Sequence, residues 1–393
     1  MDRQHKWIFP IVFCLFILHH SSAQFIDNFD GQTTPIENGW RYNTGDGSAT
    51  MNLIQGDGHV TLVVDATNDK RNIWWALVAH QVQDLNMKNL VKPDFELRAE
   101  ARIKVSHAPR RVNLHFNHSR TTDYHSHLME YDIPDTVNWH TISFTTHDFD
   151  VQPGDQVNAQ MALMDWGQSI YRIDIDYFKV DVVNRNKIGK DLGTQIPYHP
   201  PVVDPDIYSY HIPVSQDAIV DLMYPDMNFN NWQILEDDVN IPILSVSTSQ
   251  VVLLKWDFSE HKGKKVTKSG LLELTTHSLQ RSPEYKKDFG MIRVVEILAG
   301  DAQWDQESVT WDSFCEDQSL EKVLNTQMVI DYEVNGVKGG KSFFTITYPV
   351  LQRLIDGKTL GLAIRPLGAV NASFYASEFQ KGNLSPKLHF DIE

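Results

Sequence analysis

Titratable and cationic side chains are concentrated in one short stretch, HFNHSRTTDYHSHLMEYD, which runs from His115 to Asp132. It holds four histidines, one arginine and two tyrosines in a chain whose formal net charge is −16. Between residues 98 and 120, six lysines or arginines stand against a single acid, Glu100. Histidine titrates near neutral pH, so this region combines proton-transfer groups with local positive charge.

β-Elimination on a uronate needs three groups that these residue types supply. A cation or an amide must hold the carboxylate and stabilise the developing enolate, while a base removes the C5 proton and an acid protonates the departing oxygen. The candidates for base and acid are His115, Tyr124, His125 and His127. The candidates for holding a carboxylate or sulfate are Arg102, Asn113, Asn117 and Arg120. The expected ligand is therefore an anionic carbohydrate.

Two other carbohydrate functions use the same part of the chain. A non-catalytic binding cleft would need aromatic platforms, and Trp74 and Trp75 in NIWWALVAH could stack on sugar rings. Glycoside hydrolysis would need paired carboxylates, for which Glu130 and Asp165 are candidates. Both functions remain open alternatives to elimination.

A transition-metal site is a further alternative. The segment HSHLME resembles the metal-binding motif of cupins, in which two histidines and a following glutamate bind a metal. Here the residues would be His125, His127 and Glu130, and their ligand types suit zinc.

Strand periodicity indicates how these residues are positioned. In Phe95–Val105 the apolar residues alternate with Arg98, Glu100, Arg102 and Lys104, which predicts one core face and one polar face. In the next strand Val112, Leu114 and Phe116 should point to the core. Asn113, His115 and Asn117 should then share the polar face with Arg102.

The segment after this strand has two possible orientations. Its alternation places on the polar face either Tyr124, Ser126 and Glu130 or His125, His127 and Tyr131. The pattern does not decide between them.

Most of the chain has the alternation of short strands separated by Gly, Pro, Asn and Asp turns. The fold class is therefore all-β, with two sandwiches in succession. One helix is predicted, in YPVLQRLIDG. We expect a signal peptide at 1–23, a first domain at 24–184, a proline-rich linker at 185–212 and a second domain at 213–393.

The N-terminus indicates export. Residues 1–23 combine Arg3 and Lys6 with an apolar run and a final SSA, which is the layout of a secretory signal cleaved near Ala23. We expect a secreted or periplasmic monomer without membrane insertion, since no later apolar run is long enough to span a bilayer. Cleavage would leave Cys315 as the only cysteine, which precludes an internal disulfide. The acidic net charge argues against nucleic acid as a partner.

The second half resembles the DNRLRE domain, a β-sandwich of secreted polysaccharide-active enzymes. The resemblance lies in VSQDAIVDLMYPDMNFNNWQIL, VVLLKWDFSE, SGLLELTTHSL, the pair Trp304 and Trp311, and the closing SPKLHFDI. It implies a carbohydrate-binding accessory domain. Trp304 and Trp311 could form a sugar-stacking platform, or they could pack in the core.

The first half is similar to jelly-roll carbohydrate modules and to the lyases built on that fold. It opens with FIDNFDG and ends with YRIDIDYFKV, and in such modules the first and last strands pair. The resemblance implies a structural calcium where they meet, with Asp30 and Asp176 as the nominated ligands. The alternative is that these two acids cap turns and face solvent. We expect that activity requires no cofactor. Among secreted enzymes of this design, the chain most resembles oligo-ulvan lyases and dehydratases.

Overall fold

The computed structural model describes residues 25–31, 33–44, 48–68, 73–122, 126–166, 169–196, 203–230, 232–281, 290–326 and 330–393. Within these ranges the chain is dominated by strands in four sheets, which pack as two sandwiches. The predicted all-β class is confirmed. Residues 1–24 lie outside the described ranges, so the signal peptide stays a prediction.

The first sandwich consists of two sheets, sheet 1 and sheet 2. Sheet 1 is built from β1 (Phe25–Asp27), β3 (Thr50–Gln55), β4 (Val60–Asp65), β6 (Phe95–Val105), β9 (His140–Thr145) and β11 (Ile170–Asn184). Its strand order is β3-β4-β11-β6-β9, and β1 also pairs with β11. Sheet 2 has the order β2-β5-β10-β7-β8 and is built from β2 (Trp40–Asn43), β5 (Ile73–Val82), β7 (Arg110–His118), β8 (Leu128–Ile133) and β10 (Val157–Trp166).

The core of the first sandwich lies between these sheets. Leu97, Ala99 and Ile103 of β6 and Leu114 and Phe116 of β7 are fully buried there, which confirms the predicted core faces. The pairing of the first and last strands is also confirmed, because β1 runs antiparallel to β11.

The second sandwich consists of sheet 3 and sheet 4. Sheet 3 is built from β12 (Tyr210–Pro213), β14 (Gln233–Glu236), β15 (Val239–Val246), β17 (Gly270–Arg281), β20 (Lys341–Ile346), β22 (Val370–Tyr375) and β23 (Lys387–Phe390). Its strand order is β12-β23-β17-β22-β15-β14, and β20 also pairs with β17. Sheet 4 has the order β13-β16-β21-β18-β19 and is built from β13 (Gln216–Asp221), β16 (Gln250–Lys255), β18 (Gly290–Glu296), β19 (Ile330–Tyr332) and β21 (Leu362–Gly368).

The described ranges also contain four short α-helices, α1 (Met87–Leu90), α2 (Trp311–Cys315), α3 (Leu320–Val323) and α4 (Tyr348–Ile355), and two 3-10 helices, Pro205–Ile207 and Phe379–Gly382. The sequence prediction of a helix in YPVLQRLIDG is confirmed by α4, where Pro349 occupies the first turn without disturbing its hydrogen bonds. No helix in the described ranges has the length and apolar character needed to cross a membrane.

Trp304 and Cys315 lie in the second core, and Trp311 packs against it. Trp304 is 1% exposed, which confirms the interpretation that its side chain packs in the core. Trp311 is half-buried against the same core. Cys315 is buried, and burial raises the pKa of its thiol to about 11, so the thiol stays protonated near neutral pH.

The two sandwiches meet at one end of sheet 2. Ala162 and Met164 of β10 belong to the same apolar cluster as the second core, and Trp75 and Leu77 of β5 pack against it. On the other side of this junction lie residues at the start of α4, including Tyr348. The second sandwich therefore covers part of the outer surface of sheet 2.

The described parts of the predicted linker contact both sandwiches. Asp191 forms an ion pair with Arg98 at 3.0 Å, and Ile196 is buried in the first core. Strand β12 begins at Tyr210, inside the predicted linker, and pairs with β23. The domain boundaries themselves stay predictions.

Candidate functional site

The outer surface of sheet 2 carries a cluster of amide and imidazole side chains that we call the polar face. It consists of Asn113, His115 and Asn117 on β7 and Asn158 and Gln160 on β10. These side chains point outward because the alternate residues of both strands fill the core. Antiparallel pairing sets Asn117 opposite Asn158 and His115 opposite Gln160. Two strands thus place amides and an imidazole side by side.

Hydrogen bonds connect the polar face to β2. Arg41 Nη2 donates to Asn158 Oδ1 at 2.8 Å, and Asn158 Nδ2 donates to Asn117 Oδ1 at 3.2 Å. Arg41 is exposed, whereas Asn117 is 5% exposed. The three side chains form a continuous polar line across three strands, with its cationic end in solvent.

The junction end of the polar face is more enclosed. Asn113 Oδ1 accepts a hydrogen bond from the Ala162 backbone N–H at 3.1 Å. Its amide nitrogen lies 3.5 Å from Met164 Sδ. Asn113 therefore borders the surface that the second sandwich covers, while Asn117 lies toward the open end of β7.

A pocket of about 470 Å³ lies beside Arg41. Its wall includes Asn38, His80 and Gln81. His80 stacks on Phe25, with ring centroids 4.3 Å apart, and burial lowers its pKa. The imidazole is thus mainly neutral at pH 7, and Arg41 is the cation of this pocket.

Arg111 and Glu130 form an ion pair at the β8 edge of the same sheet. Arg111 Nε donates to Glu130 Oε2 at 2.8 Å, and the Glu130 side chain is 8% exposed. The Glu130 carboxylate is thus engaged by Arg111, and its role in glycoside hydrolysis stays a prediction. The side chain of Asp165, its proposed partner, lies outside the described residues.

The expectation that Arg102 shares a face with His115 is wrong. Arg102 lies on β6 in sheet 1, and His115 lies on β7 in sheet 2. The chain crosses from one layer to the other between these strands, so their outward faces point in opposite directions. Arg102 instead pairs with Asp176, with Nη1 2.7 Å from Oδ2, and stands over the Trp139 ring.

Arg120 lies beyond the end of β7 and binds a neighbouring turn. Its Nη2 is 3.0 Å from Asp155 Oδ2. Hydrogen bonding from Arg120 is the largest cause that lowers the pKa of Asp155 to about 2. Arg120 thus holds the turn before β10 in place, and its proposed role in binding substrate stays a prediction.

His127 is separated from His115. Phe116 N donates to the His127 carbonyl, so this register places His127 on the core side of sheet 2, where its ring packs edge-on against Phe149. Tyr131 points the same way and donates to the Ser143 carbonyl at 2.6 Å. Of the two orientations left open by the sequence, the described residues adopt the one with Glu130 outward.

The cupin-like metal site is not assembled by this arrangement. His127 and Glu130 are three residues apart, and an odd spacing on a strand places side chains on opposite faces. Elsewhere in the described ranges, no group of three or more His, Cys, Asp or Glu side chains is arranged to hold a metal ion. Asp176 is engaged by Arg102 and Asp30 is exposed. The calcium site stays a prediction.

Four other predicted residues lie at the junction or outside the described structure. Trp75 packs toward the second sandwich. The side chain of Trp74 and the whole of Tyr124 and His125 lie outside the described residues. Their proposed roles stay predictions.

Sequence reasoning missed Arg41, Asn158 and Gln160. The signal for the latter pair is present in VNAQMAL, where Asn158 and Gln160 alternate with residues that fill the core. Arg41 has no such signal, because nothing in its local pattern shows that β2 and β10 lie on either side of β5.

Comparisons with known proteins return similar solved structures at low identity. They include the family 11 carbohydrate-binding module of the cellulosomal cellulase Lic26A-Cel5E of Clostridium thermocellum, 12% identical over 39% of this chain and 91% of that chain, with a TM-score of 0.26. The CBM22-1 xylan-binding domain of Paenibacillus barcinonensis Xyn10C is 12% identical over 41% and 95%, with a TM-score of 0.26. A cyclase from Fischerella sp. TAU is 10% identical over 39% and 93%, with a TM-score of 0.27.

No protein-family model matches the sequence, and no curated protein is detectably similar to it. The resemblances to the DNRLRE domain and to oligo-ulvan lyases therefore stay predictions.

Proposed function

We propose that this protein binds a polysaccharide on the polar face of its first sandwich. The observation that carries the proposal is the hydrogen-bonded line Arg41–Asn158–Asn117. Amide side chains donate and accept at once, as sugar hydroxyls do, and a guanidinium adds fixed donors for hydroxyl, carboxylate or sulfate oxygens.

The geometry also suits an extended ligand. The polar line runs from β2 across β5 to β10 and β7, and it borders the pocket beside Arg41. The second sandwich covers the other end of the sheet, whereas Arg41 at this end is exposed and Asn158 is partly exposed. A sugar chain lying across the strands would contact Arg41 and then Asn158, whose orientation is fixed by its hydrogen bond to the buried Asn117.

The test is affinity electrophoresis of the full chain in gels that contain ulvan, alginate or a neutral cellulose derivative. Arg41→Ala should weaken retardation by roughly fivefold or more, because it removes a charged donor from the line. Arg102→Ala is the matched control, since it removes a hydrogen-bonded arginine from the opposite layer, and it should change affinity by less than about twofold. Equal effects of the two substitutions would refute the assignment.

Elimination is the second candidate function, and the position of His115 favours it. His115 lies between Asn113 and Asn117 along β7, so an imidazole is flanked by amides that could hold a uronate carboxylate. In this reaction the base takes the C5 proton, the C–H electron pair forms the C4–C5 double bond, and the C4 oxygen leaves with a proton from the acid. A lyase expels a sugar, whereas a dehydratase expels water from a chain-end uronate.

The uronate-containing, sulfated algal polymers remain the proposed substrates, and a secreted enzyme would meet them directly. Of the cations, Arg41 lies in the line next to the amides, whereas Arg102 and Arg120 are engaged by Asp176 and Asp155. Arg41 is therefore the better candidate for neutralising a carboxylate.

The enzymatic test is the ultraviolet absorbance of an unsaturated uronate, followed with ulvan, alginate and their oligomers. His115→Ala should abolish product while retardation in the gel stays within about threefold of wild type. Retardation without product from the wild-type protein on every substrate would leave binding as the function and contradict elimination.

A further inference from the structure

The second sandwich contains a pocket that is separate from the polar face. It has a volume of about 220 Å³ and lies where β16 leaves sheet 4 and the turn after α4 enters β21. Its wall includes Lys255 and Trp256 from the segment KWDFS, and Leu354 and Ile355 from α4. The pocket is smaller than the ~300–1,000 Å³ that is usual for drug-sized ligands, so it suits a single ring.

Positive charge distinguishes this pocket. Lys255 and Lys262 both line it, and none of the described residues that line it is acidic. The protein as a whole carries a formal net charge of −16, so an acid-free pocket with two lysines differs from the average surface. Such a pocket attracts anions.

Lys255 is held in a defined position. Its ammonium lies 5.3 Å from the centre of the Trp304 ring and donates to the carbonyls of Ala302 and Trp304 at 3.3 and 3.4 Å. An ammonium has three donors, and these two bonds are long. Lys255 therefore keeps donor capacity for an anion at a fixed point.

Lys262 differs from Lys255 because it is exposed and forms no ion pair with any described residue. The nearest carboxylate in sequence, Glu260, is exposed and does not line the pocket. Asp257 accepts from the Ser259 backbone N–H at 2.9 Å, and Asp356 lies 3.4 Å from Lys358. Lys262 is thus an exposed cation at the pocket rim.

The remaining wall is mainly apolar. It includes Trp256 and Phe258, which are 7% and 8% exposed, and the aliphatic side chains of Leu354, Ile355 and Leu360, while Ser259 and Thr359 add hydroxyl groups. An apolar wall with cations at one side matches a ring that has one apolar face and one negatively charged substituent.

Two buried polar atoms in the wall lack partners. Trp256 Nε1 and Thr359 Oγ1 have no hydrogen-bond partner among the described residues, and their side chains are 7% and 6% exposed as residues. Both atoms belong to residues that line the pocket. Unsatisfied buried donors of this kind favour an occupant rich in acceptor oxygens.

We propose that this pocket binds a single sugar residue that carries a carboxylate or sulfate group. The two lysines hold the anionic group, and the ring lies against Trp256 and the aliphatic wall. This site is independent of the polar face, which lies on the other sandwich.

The test is isothermal titration calorimetry of the full chain with glucuronate, glucose 6-sulfate and glucose. At least one of the anionic sugars should bind roughly tenfold more tightly than glucose, because charge-assisted hydrogen bonds are the stronger ones. The two anionic probes separate a carboxylate site from a sulfate site. Equal affinity for glucose, or no binding of any probe at millimolar concentration, would overturn the proposal.

Two lysine variants locate the ligand. Lys262→Met should weaken binding of the anionic sugar by about three- to tenfold. Lys264→Met is the matched control, because Lys264 is equally exposed two residues away and does not line the pocket. Equal losses in the two variants would overturn the assignment.

A third variant separates this site from the polar face. Lys262→Met should weaken binding of the anionic sugar by the same factor in the wild-type and in the Arg41→Ala background, because the two residues lie on different sandwiches. Loss of binding in Arg41→Ala, with Lys262→Met unaffected, would place the ligand on the first sandwich and refute the pocket.

Discussion

Replacement of Arg353 by Met is a sharp test of how α4 is fixed to the second sandwich. Arg353 Nε and Nη2 donate to the two carboxylate oxygens of Glu296 at 2.9 and 2.8 Å, and Asn325 Nδ2 donates to the same carboxylate at 3.0 Å. The Glu296 side chain is 0% exposed and that of Arg353 is 9% exposed. The pair therefore joins α4 to the end of β18 in the protein interior.

The expected cost of Arg353→Met is about 3–5 kcal/mol in the free energy of unfolding, because it leaves the buried Glu296 carboxylate without its cation. Arg281→Met is the matched control. Arg281 pairs with Glu333 at 2.7 Å, but the two side chains are 28% and 43% exposed, so its loss should cost less than about 1 kcal/mol.

The measurement is urea unfolding followed by tryptophan fluorescence, with the transition of the second sandwich fitted separately because a two-sandwich chain need not unfold in one step. The double variant Arg353→Met with Glu296→Gln should recover part of the loss, since the uncompensated charge is removed. A cost for Arg353→Met no larger than that of Arg281→Met would refute the reasoning. Because Leu354 and Ile355 of α4 line the proposed anion pocket, Arg353→Met should also weaken binding there.

Three further predictions concern the second sandwich. Burial, followed by repulsion from Glu378, raises the pKa of Asp217 to about 7. Because the folded state then binds a proton more readily than the unfolded state, the free energy of unfolding should fall by at most roughly 4 kcal/mol as pH rises from about 4 to about 7. Asp217→Asn should flatten this pH dependence when unfolding is measured across that range. Thr359→Val should raise stability by roughly 1 kcal/mol in thermal unfolding, because it replaces a buried hydroxyl that has no partner among the described residues; a loss of stability would show that the hydroxyl has a partner. Trp304→Ala should cost about 3–5 kcal/mol in chemical unfolding, because Trp304 is 1% exposed; a loss of polysaccharide binding without loss of stability would instead support a stacking role.

Local features of the fold were predictable because they depend on near neighbours in the chain. The alternation in Phe95–Val105 and in Val112–Phe116 correctly identified which side chains enter the core, since successive residues of a strand point to opposite faces. The helix in YPVLQRLIDG was predictable for a similar reason, because its apolar residues recur at helical spacing and proline is tolerated in the first turn. The burial of Trp304 was predictable from the general tendency of large aromatic side chains to be buried.

The candidate site was only partly predictable. The sequence by itself determined that Asn113, His115 and Asn117 share the outer face of one strand, because that follows from the two-residue period. It did not determine that β6 and β7 belong to different layers, which places Arg102 on the opposite surface from His115.

Tertiary structure alone decided what completes the polar face. Arg41 and Asn158 are more than one hundred residues apart, and they meet because β2 and β10 both pair with β5. Strand order is set by the packing of the whole sandwich, since many strands of similar alternation could pair with one another. The sequence thus determined the face on which each side chain lies, and the pairing of distant strands decided which side chains share a site.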